Sequence, residues 1–336
     1  MPKPLPRKAR DDLSAPRRPL GGAGAAAILA RAARVRLIRR TALHVGLAAF
    51  LVGGVAWLVG YLRTTVAQTA AAALPEPPKV VFANRPPWMS DFLATELAEV
   101  CRPNGNPSVF DRDALVRING RLKSNPWIAK VRQVRRLYGQ AAGDTIEVDC
   151  DFRAPMALVR GGRDEVGRDV YWFVDAKGVR LPERFVAADL PKVLYSADGK
   201  VNVRVIEGVR NPPPSVAGQA WTGDDLAAGL ELAEKLNGQA FAQEIERVDV
   251  SNYAGRVEPR EAYLVLRTRR NTEGRWGRPW GASDWFVEIK PEVKFDTLRR
   301  MVARYGRVDA GQEWVDIRFE RISTPPIATT QDVGGR

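Results

Sequence analysis

The chain has 336 residues, with 52 Lys and Arg against 39 Asp and Glu and a formal net charge of +13. With 45% hydrophobic and 27% charged residues, most of its length has ordinary globular composition. The single histidine and two cysteines exclude a histidine-based triad or metal site outside the apolar run and also exclude a disulfide framework.

The positive excess is confined to one end. Residues 1–40 hold 11 Lys and Arg against Asp11 and Asp12, a net of +9, which leaves +4 for the rest of the chain. A basic pI invites a nucleic-acid reading. Here the excess sits beside an apolar run, where it orients a span and is attracted to anionic lipid, and no nucleic acid is expected as a partner. Leu43–Leu62 is a run of 20 residues without a charged side chain. A helix rising ~1.5 Å per residue crosses a ~30 Å hydrocarbon core in roughly that length. A secretory signal has an apolar core of only ~7–15 residues near the N-terminus, so this run reads as a retained single-span anchor over residues 41–63. Short Lys/Arg-rich flanks stay cytoplasmic, which places the N-terminus inside and the large C-terminal part outside. Residues 1–40 read as a disordered basic tail. His44, one residue inside the boundary, can reach the interface. The pairs Ala49/Gly53 and Ala56/Gly60 would permit close helix approach.

Beyond the span, residues 64–78 read as a linker ending in Pro75-Glu-Pro-Pro78, which cannot continue a helix. Lys79–Ala83 is a predicted strand. Asp91–Cys101 is a predicted helix with Phe92, Leu93, Leu97 and Val100 in an apolar stripe. A second helix follows, capped by Asp111, with Leu115, Ile118 and Leu122 at 3–4 spacing. Strands are predicted at Ile128–Leu137 and Thr145–Arg153, giving β-α-α-β-β over residues 79–154, a three-stranded sheet with two helices on one face. Alternation puts Ile146, Val148, Cys150 and Phe152 on one face. Cys150 and Cys101 are therefore either buried free thiols or, outside the cytoplasm, a disulfide.

A second region covers residues 155–324, ahead of a disordered end at 325–336. Tyr171–Val174 and Val179–Leu181 flank the turn sequence Asp175-Ala-Lys-Gly178. A strand is predicted at Val201–Ile206. Asp224 is expected to cap a helix with Leu226, Leu230, Ala233 and Leu236 inward, ended by Asn237–Gly238. Strands at Ile245–Val250, Tyr263–Arg267 and Trp285–Ile289 precede a helix at about Phe295–Tyr305, and the last strand is predicted at Trp314–Arg321. The fold class is thus α+β: one N-terminal transmembrane helix, the β-α-α-β-β unit, then a mixed α/β domain with an open, mostly antiparallel sheet.

The search for reaction chemistry returns no catalytic, metal or cofactor set, and the chain is expected not to be an enzyme. Nucleophile-elbow, phosphate-loop and Cys-x-x-Cys motifs are missing. Asp111/Asp113 and Asp149/Asp151 are better explained as a helix cap and solvated surface than as acid–base or metal pairs. Trp276-Gly-Arg-Pro-Trp280-Gly is either an aromatic contact loop or a set of rings packed over the core. Lys130, Arg132, Arg135 and Arg136 form a basic strand, mostly a solvated face. Open sheets leave edges that can accept an extended segment from another chain, and the last strand is the obvious candidate.

The order of these elements resembles the bacterial cell-division family FtsQ/DivIB, in which a POTRA domain precedes a β domain. The resemblance covers roughly residues 30–322. It rests on Asn125-Pro-Trp-Ile128 and Val134-Arg-Arg136, on Arg153-Ala-Pro-Met-Ala157 at the junction, and on Phe173-Val-Asp-Ala-Lys-Gly178. Leu190-Pro191 and Trp314-Val-Asp-Ile-Arg-Phe319 complete the set. The family's frequent acidic residue before the junction proline is Phe152 here. Trp276–Gly281 looks inserted, Val287–Pro291 lacks the usual glycine, and Val131 and Val134 break period two, which implies a bulge. The resemblance implies a division-septum scaffold in the cytoplasmic membrane, with a single pass, extracytoplasmic domains and no cofactor. It would recruit FtsB-like and FtsL-like bitopic proteins, with other divisome proteins at the POTRA domain. It also implies a partner site at Phe319, with Arg318, Glu320, Arg321 and the helix residue Arg299 around it.

Overall fold

A computed structural model describes residues 22–73, 78–103, 111–138, 142–282 and 288–325. The chain separates into two compact units, residues 1–73 and 74–336.

The first unit is helix α1, Gly22–Ala73. It is longer at both ends than the 41–63 span. Residues 22–40, expected as a disordered tail, are helical, as are residues 64–73 of the expected linker. Ala and Arg dominate the first flank and Ala the second, both strong helix formers, and no proline interrupts them. Within α1, Thr41–Val66 is long and apolar enough to cross a membrane. Its large side chains are exposed: Phe50 is 76% and Trp57 70% exposed.

The second unit begins with β1 (Lys79–Phe82), α2 (Asp91–Cys101), α3 (Arg112–Ser124), β2 (Ile128–Tyr138) and β3 (Ala142–Phe152). The sheet order is β1-β3-β2, with β3 parallel to β1 and antiparallel to β2. Both helices start where side chains accept an otherwise unpaired N–H: Ser90 Oγ accepts from Leu93 at 3.2 Å and Asp111 from Ala114 at 3.1 Å. Ile118 and Leu122 of α3 meet Ile146, Val148 and Cys150 of β3 in a small core that also holds Cys101. The period-two break in β2 is a real irregularity, with register shifts after Ile128 and after Val131. The basic strand is not a free cationic face. Arg132 pairs with Asp151 and, at 3.8 Å, with Asp149, and Arg135 pairs with Glu147.

The larger sheet adds β4 (Ala157–Arg163), β5 (Asp169–Val174), β6 (Arg180–Val186), β7 (Arg204–Glu207), β8 (Ile245–Asp249), β9 (Leu264–Thr268), β10 (Glu273–Gly277) and β11 (Trp314–Asp316). Helices α4 (Leu190–Leu194), α5 (Asp224–Leu236) and α6 (Pro291–Tyr305) accompany them. The strand order is β11-β10-β9-β8-β7-β4-β5-β6. Four junctions are antiparallel, while β4–β7, β7–β8 and β10–β11 are parallel. The sheet is therefore mixed, because the α5 crossover returns β8 alongside β7 in the same direction. Leu226, Leu230, Ala233 and Leu236 of α5 lie in one core with Ile206, Val248 and Leu266. Each such buried aliphatic contributes about 1.5–3 kcal/mol.

Several boundaries differ from the expectations. Gly223 rather than Asp224 is the N-cap of α5, since Asp224 already lies in its first turn. Residues 285–287 of the expected strand Trp285–Ile289 lie outside the described residues, and 288–289 are not strand. Residues 326–336 of the expected disordered end also lie outside them. The last strand stops at Asp316 instead of reaching Arg321, because the Arg318 backbone N–H and guanidinium both turn back onto the Asp316 carboxylate.

The two sheets share an interface within this unit. Leu181 of β6 packs with Met89, Leu93, Leu97 and Trp127. Beside it Arg153, just after β3, bonds Asp175 at 2.7 Å. Asp175 also accepts from the N–H groups of Lys177 and Val179 in the β5–β6 turn, so one carboxylate fixes both turn and junction.

Candidate partner-docking edge

Strand β11 is the last in the sheet, paired with β10 on one side. Its length is short, but its foundation is deep. Val315 and Ile317 are buried in the main core, where Trp276, Phe295 and Leu298 also lie. Trp276 belongs to β10 and stacks with Trp280, centroids 6.0 Å apart. Of the two readings of the Trp276–Gly281 stretch, the structure selects rings packed over the core.

Beneath the edge lies a buried ion pair. Lys294 of α6 is 0% exposed, with Nζ donating to the Glu288 carboxylate and to the Trp276 carbonyl, each at 2.7 Å. Burial pushes the Lys294 ammonium below the ordinary lysine range, and Glu288 opposes that shift. Glu288 also accepts from the Arg278 N–H at 3.0 Å. Gly277, with φ +93°, lets the carboxylate approach, since a Cβ there would overlap it.

This arrangement reaches the surface through Arg318. Its carbonyl accepts from the Ile289 N–H at 2.9 Å, next to Glu288. Its guanidinium grips Asp316 through Nε and Nη2, and Nη1 donates to the Arg260 carbonyl at 2.8 Å. The hydrogen bond to Asp316 holds the guanidinium pKa above its ordinary value. With a side chain only 12% exposed, Arg318 is a brace rather than a free contact.

The neighbouring Phe319 is different. It is 42% exposed, and its ring lies under the Arg318 guanidinium, 5.2 Å from centroid to Cζ. Glu320 and Arg321 are exposed. Arg299 is exposed on α6 but bonds elsewhere, to Asp296 and to Gln239. The structure thus brings Arg318 and Phe319 together, follows them with Glu320 and Arg321, and turns Arg299 toward a different neighbour. Glu288 and Lys294 were not legible in the sequence, because Glu288 fell in an expected strand and Lys294 ahead of the expected helix. The Pro291 start of α6 was the available signal, since proline at a first helical position carries the helix back over Lys294.

After β11 the chain folds back. Asp316 N–H donates to the Ser323 carbonyl at 2.8 Å and Ser323 N–H donates to the Asp316 carbonyl at 3.3 Å. One residue pair therefore occupies the outer side of the terminal strand.

Among the described residues no group of three or more His, Cys, Asp or Glu converges as metal ligands. Comparison of the sequence with protein-family models and with curated proteins gave no match.

Proposed function

We propose that this chain is a non-enzymatic cell-division scaffold of the FtsQ/DivIB type. Thr41–Val66 holds it in the cytoplasmic membrane as a single span, with the N-terminus inside. The β-α-α-β-β unit is read as a POTRA domain and residues 155–324 as the family's β domain, both extracytoplasmic at the division septum. The partners are FtsB-like and FtsL-like bitopic proteins, recruited without a cofactor.

The observation that carries this reading is the half-exposed Phe319 on a rigid brace at the sheet's terminal edge. An exposed ring beside a strand edge that only the Asp316–Ser323 bridge occupies offers a side-chain contact for specificity and, once that bridge opens, main-chain pairing for affinity. A brace fixed by Asp316, Arg260 and Ile289 costs a partner little ordering entropy on docking.

The test is capture of the FtsB-like protein encoded by the same genome, using the full-length chain in detergent. Phe319→Glu is expected to abolish capture with an unchanged circular-dichroism spectrum, because it places a charge where an apolar contact forms. Unchanged capture by that variant removes the site. A fluorescent fusion spread evenly round the envelope of dividing cells, without septal enrichment, removes the function.

A further inference from the structure

The opposite end of the large sheet holds a second surface, independent of the Phe319 edge. Strands β4, β5 and β6 form a meander there, and the β4–β5 register slips between Arg160 and Arg163. The slip falls at Gly161-Gly162. A Cβ on Gly161 would overlap the rings of Trp172 and Trp221, and Gly162 has φ +107°. This bulge lets the Trp172 ring settle against β4, edge-on to Trp221 with centroids 6.2 Å apart. Above that ring opens a cleft of about 670 Å³, floored by Trp172 and Pro182 and rimmed by Arg163, Arg180, Arg184 and the β4–β5 turn.

The charges around it do not balance. Asp169 is shared by Arg160 at 2.7 Å and Arg163 at 3.3 Å. Asp164 accepts from the N–H groups of Val166 and Arg168 and is shared by Arg168 at 2.8 Å and Arg184 at 3.5 Å. Both carboxylates are held below their ordinary pKa, Asp164 first by the Arg168 N–H and Asp169 first by the Arg160 guanidinium. Glu165 stands exposed on the turn. Among the residues lining the cleft, the four guanidinium groups of Arg163, Arg168, Arg180 and Arg184 thus face the two carboxylates of Asp164 and Glu165.

Arg180 is the one left over. Its Nε is buried without a hydrogen-bond partner, its Nη2 reaches only the Ser215 carbonyl at 3.4 Å, and its guanidinium lies 5.7 Å from the centre of the Trp172 ring. Burial lowers its pKa, and no carboxylate offsets that cost. An incoming carboxylate would supply the opposite charge that the Arg180 guanidinium lacks.

We propose that this cleft docks an acidic, extended peptide segment of a partner protein. Its openness suits a chain lying across a sheet rather than an enclosed small molecule. Arg180 and Arg184 of β6 both line the cleft, on either side of Pro182, opposite the register slip between Trp172 and Val174. Two carboxylates on one face of an extended peptide would meet this pair, with an apolar side chain between them over Trp172 and Pro182. Asp164 and Glu165 on the rim repel a continuous phosphate backbone.

The probe is a labelled peptide containing Glu-Thr-Leu-Thr-Glu, with a photo-crosslinking group beside the leucine, titrated against the full-length chain in detergent. Cross-links are expected within residues 160–184. Arg180→Gln combined with Arg184→Gln should weaken binding at least tenfold. The Gln-Thr-Leu-Thr-Gln peptide should bind at least tenfold more weakly than the Glu peptide. Should the double variant fail to fold, Glu165→Gln tests the same point in the other direction and should tighten binding two- to threefold. Equal binding of the two peptides, an unchanged affinity in both variants, or cross-links confined to the basic residues 1–40 would each overturn the proposal. So would displacement of the peptide by vesicles of anionic phospholipid, which would assign the cleft to a lipid surface. None of these results depends on whether Phe319→Glu alters capture of the bitopic partner.

Discussion

Asp316 and Ser323 exchange both of their backbone hydrogen bonds, so the residue that ends the terminal strand is paired by its own chain seven positions later. The position a partner strand would take beside β11 is therefore partly filled. Ser323→Pro removes the N–H that donates to Asp316 and loosens this fold-back. A net hydrogen bond contributes about 0.5–1.5 kcal/mol, so affinity for the proposed FtsB-like partner should rise about three- to tenfold. The measurement is a titration of full-length wild type and variant in detergent. A weaker variant would show that the turn belongs to the docking surface rather than covering it.

Lys294 and Glu288 form a buried pair, and breaking one half leaves the other charge alone. Lys294→Ala should cost about 3–5 kcal/mol, whereas Lys294→Met combined with Glu288→Gln should cost much less, since no isolated charge remains. Chemical denaturation monitored by tryptophan fluorescence would show the difference. Equal losses would mean that packing, not charge, dominates the site.

Glu183 on β6 faces the three-stranded unit. Burial raises its pKa, the nearby Glu96 adds to the rise, and the Trp127 side chain opposes it with a hydrogen bond. One carboxylate oxygen, Oε2, is buried without a partner. A carboxyl whose folded pKa lies above its unfolded value binds the proton more tightly when folded. Stability should therefore fall as pH rises from about 4.5, the ordinary value, through the raised one, and stay low above it. Glu183→Gln should remove that slope and stabilise the protein at neutral pH. Thermal midpoints of the two proteins across pH 4 to 8 check it, and parallel profiles would exclude Glu183 as the cause.

Cys101 and Cys150 are both buried free thiols in one small core. Burial pushes Cys101 up to about 12 and Cys150 to about 11, so neither forms a thiolate at neutral pH. Maleimide should leave the native protein unlabelled and add to two sites after unfolding without reductant. Labelling that requires reductant would mean that the pair is oxidised.

Local chemistry made some elements legible. An uncharged run of 20 residues specifies a span-length apolar helix from composition alone. Ser90 and Asp111 with 3–4 apolar spacing defined α2 and α3, because caps and helix periodicity act within one or two turns. Strands β4 and β10 stayed hidden. Gly161, Gly162, Gly274 and Gly277 have low strand propensity, yet these segments are strands because neighbours on both sides pair with them.

The sequence by itself determined the apolar helix, the charge asymmetry around it and the β-α-α-β-β order, all set by residues close along the chain. Only the tertiary structure decided that Phe319 stands on a brace, that Glu288 meets Lys294 out of water, and that Ser323 closes the terminal edge. Those contacts depend on strand order and on burial, which bring together groups whose local sequence contains no reason for them to meet.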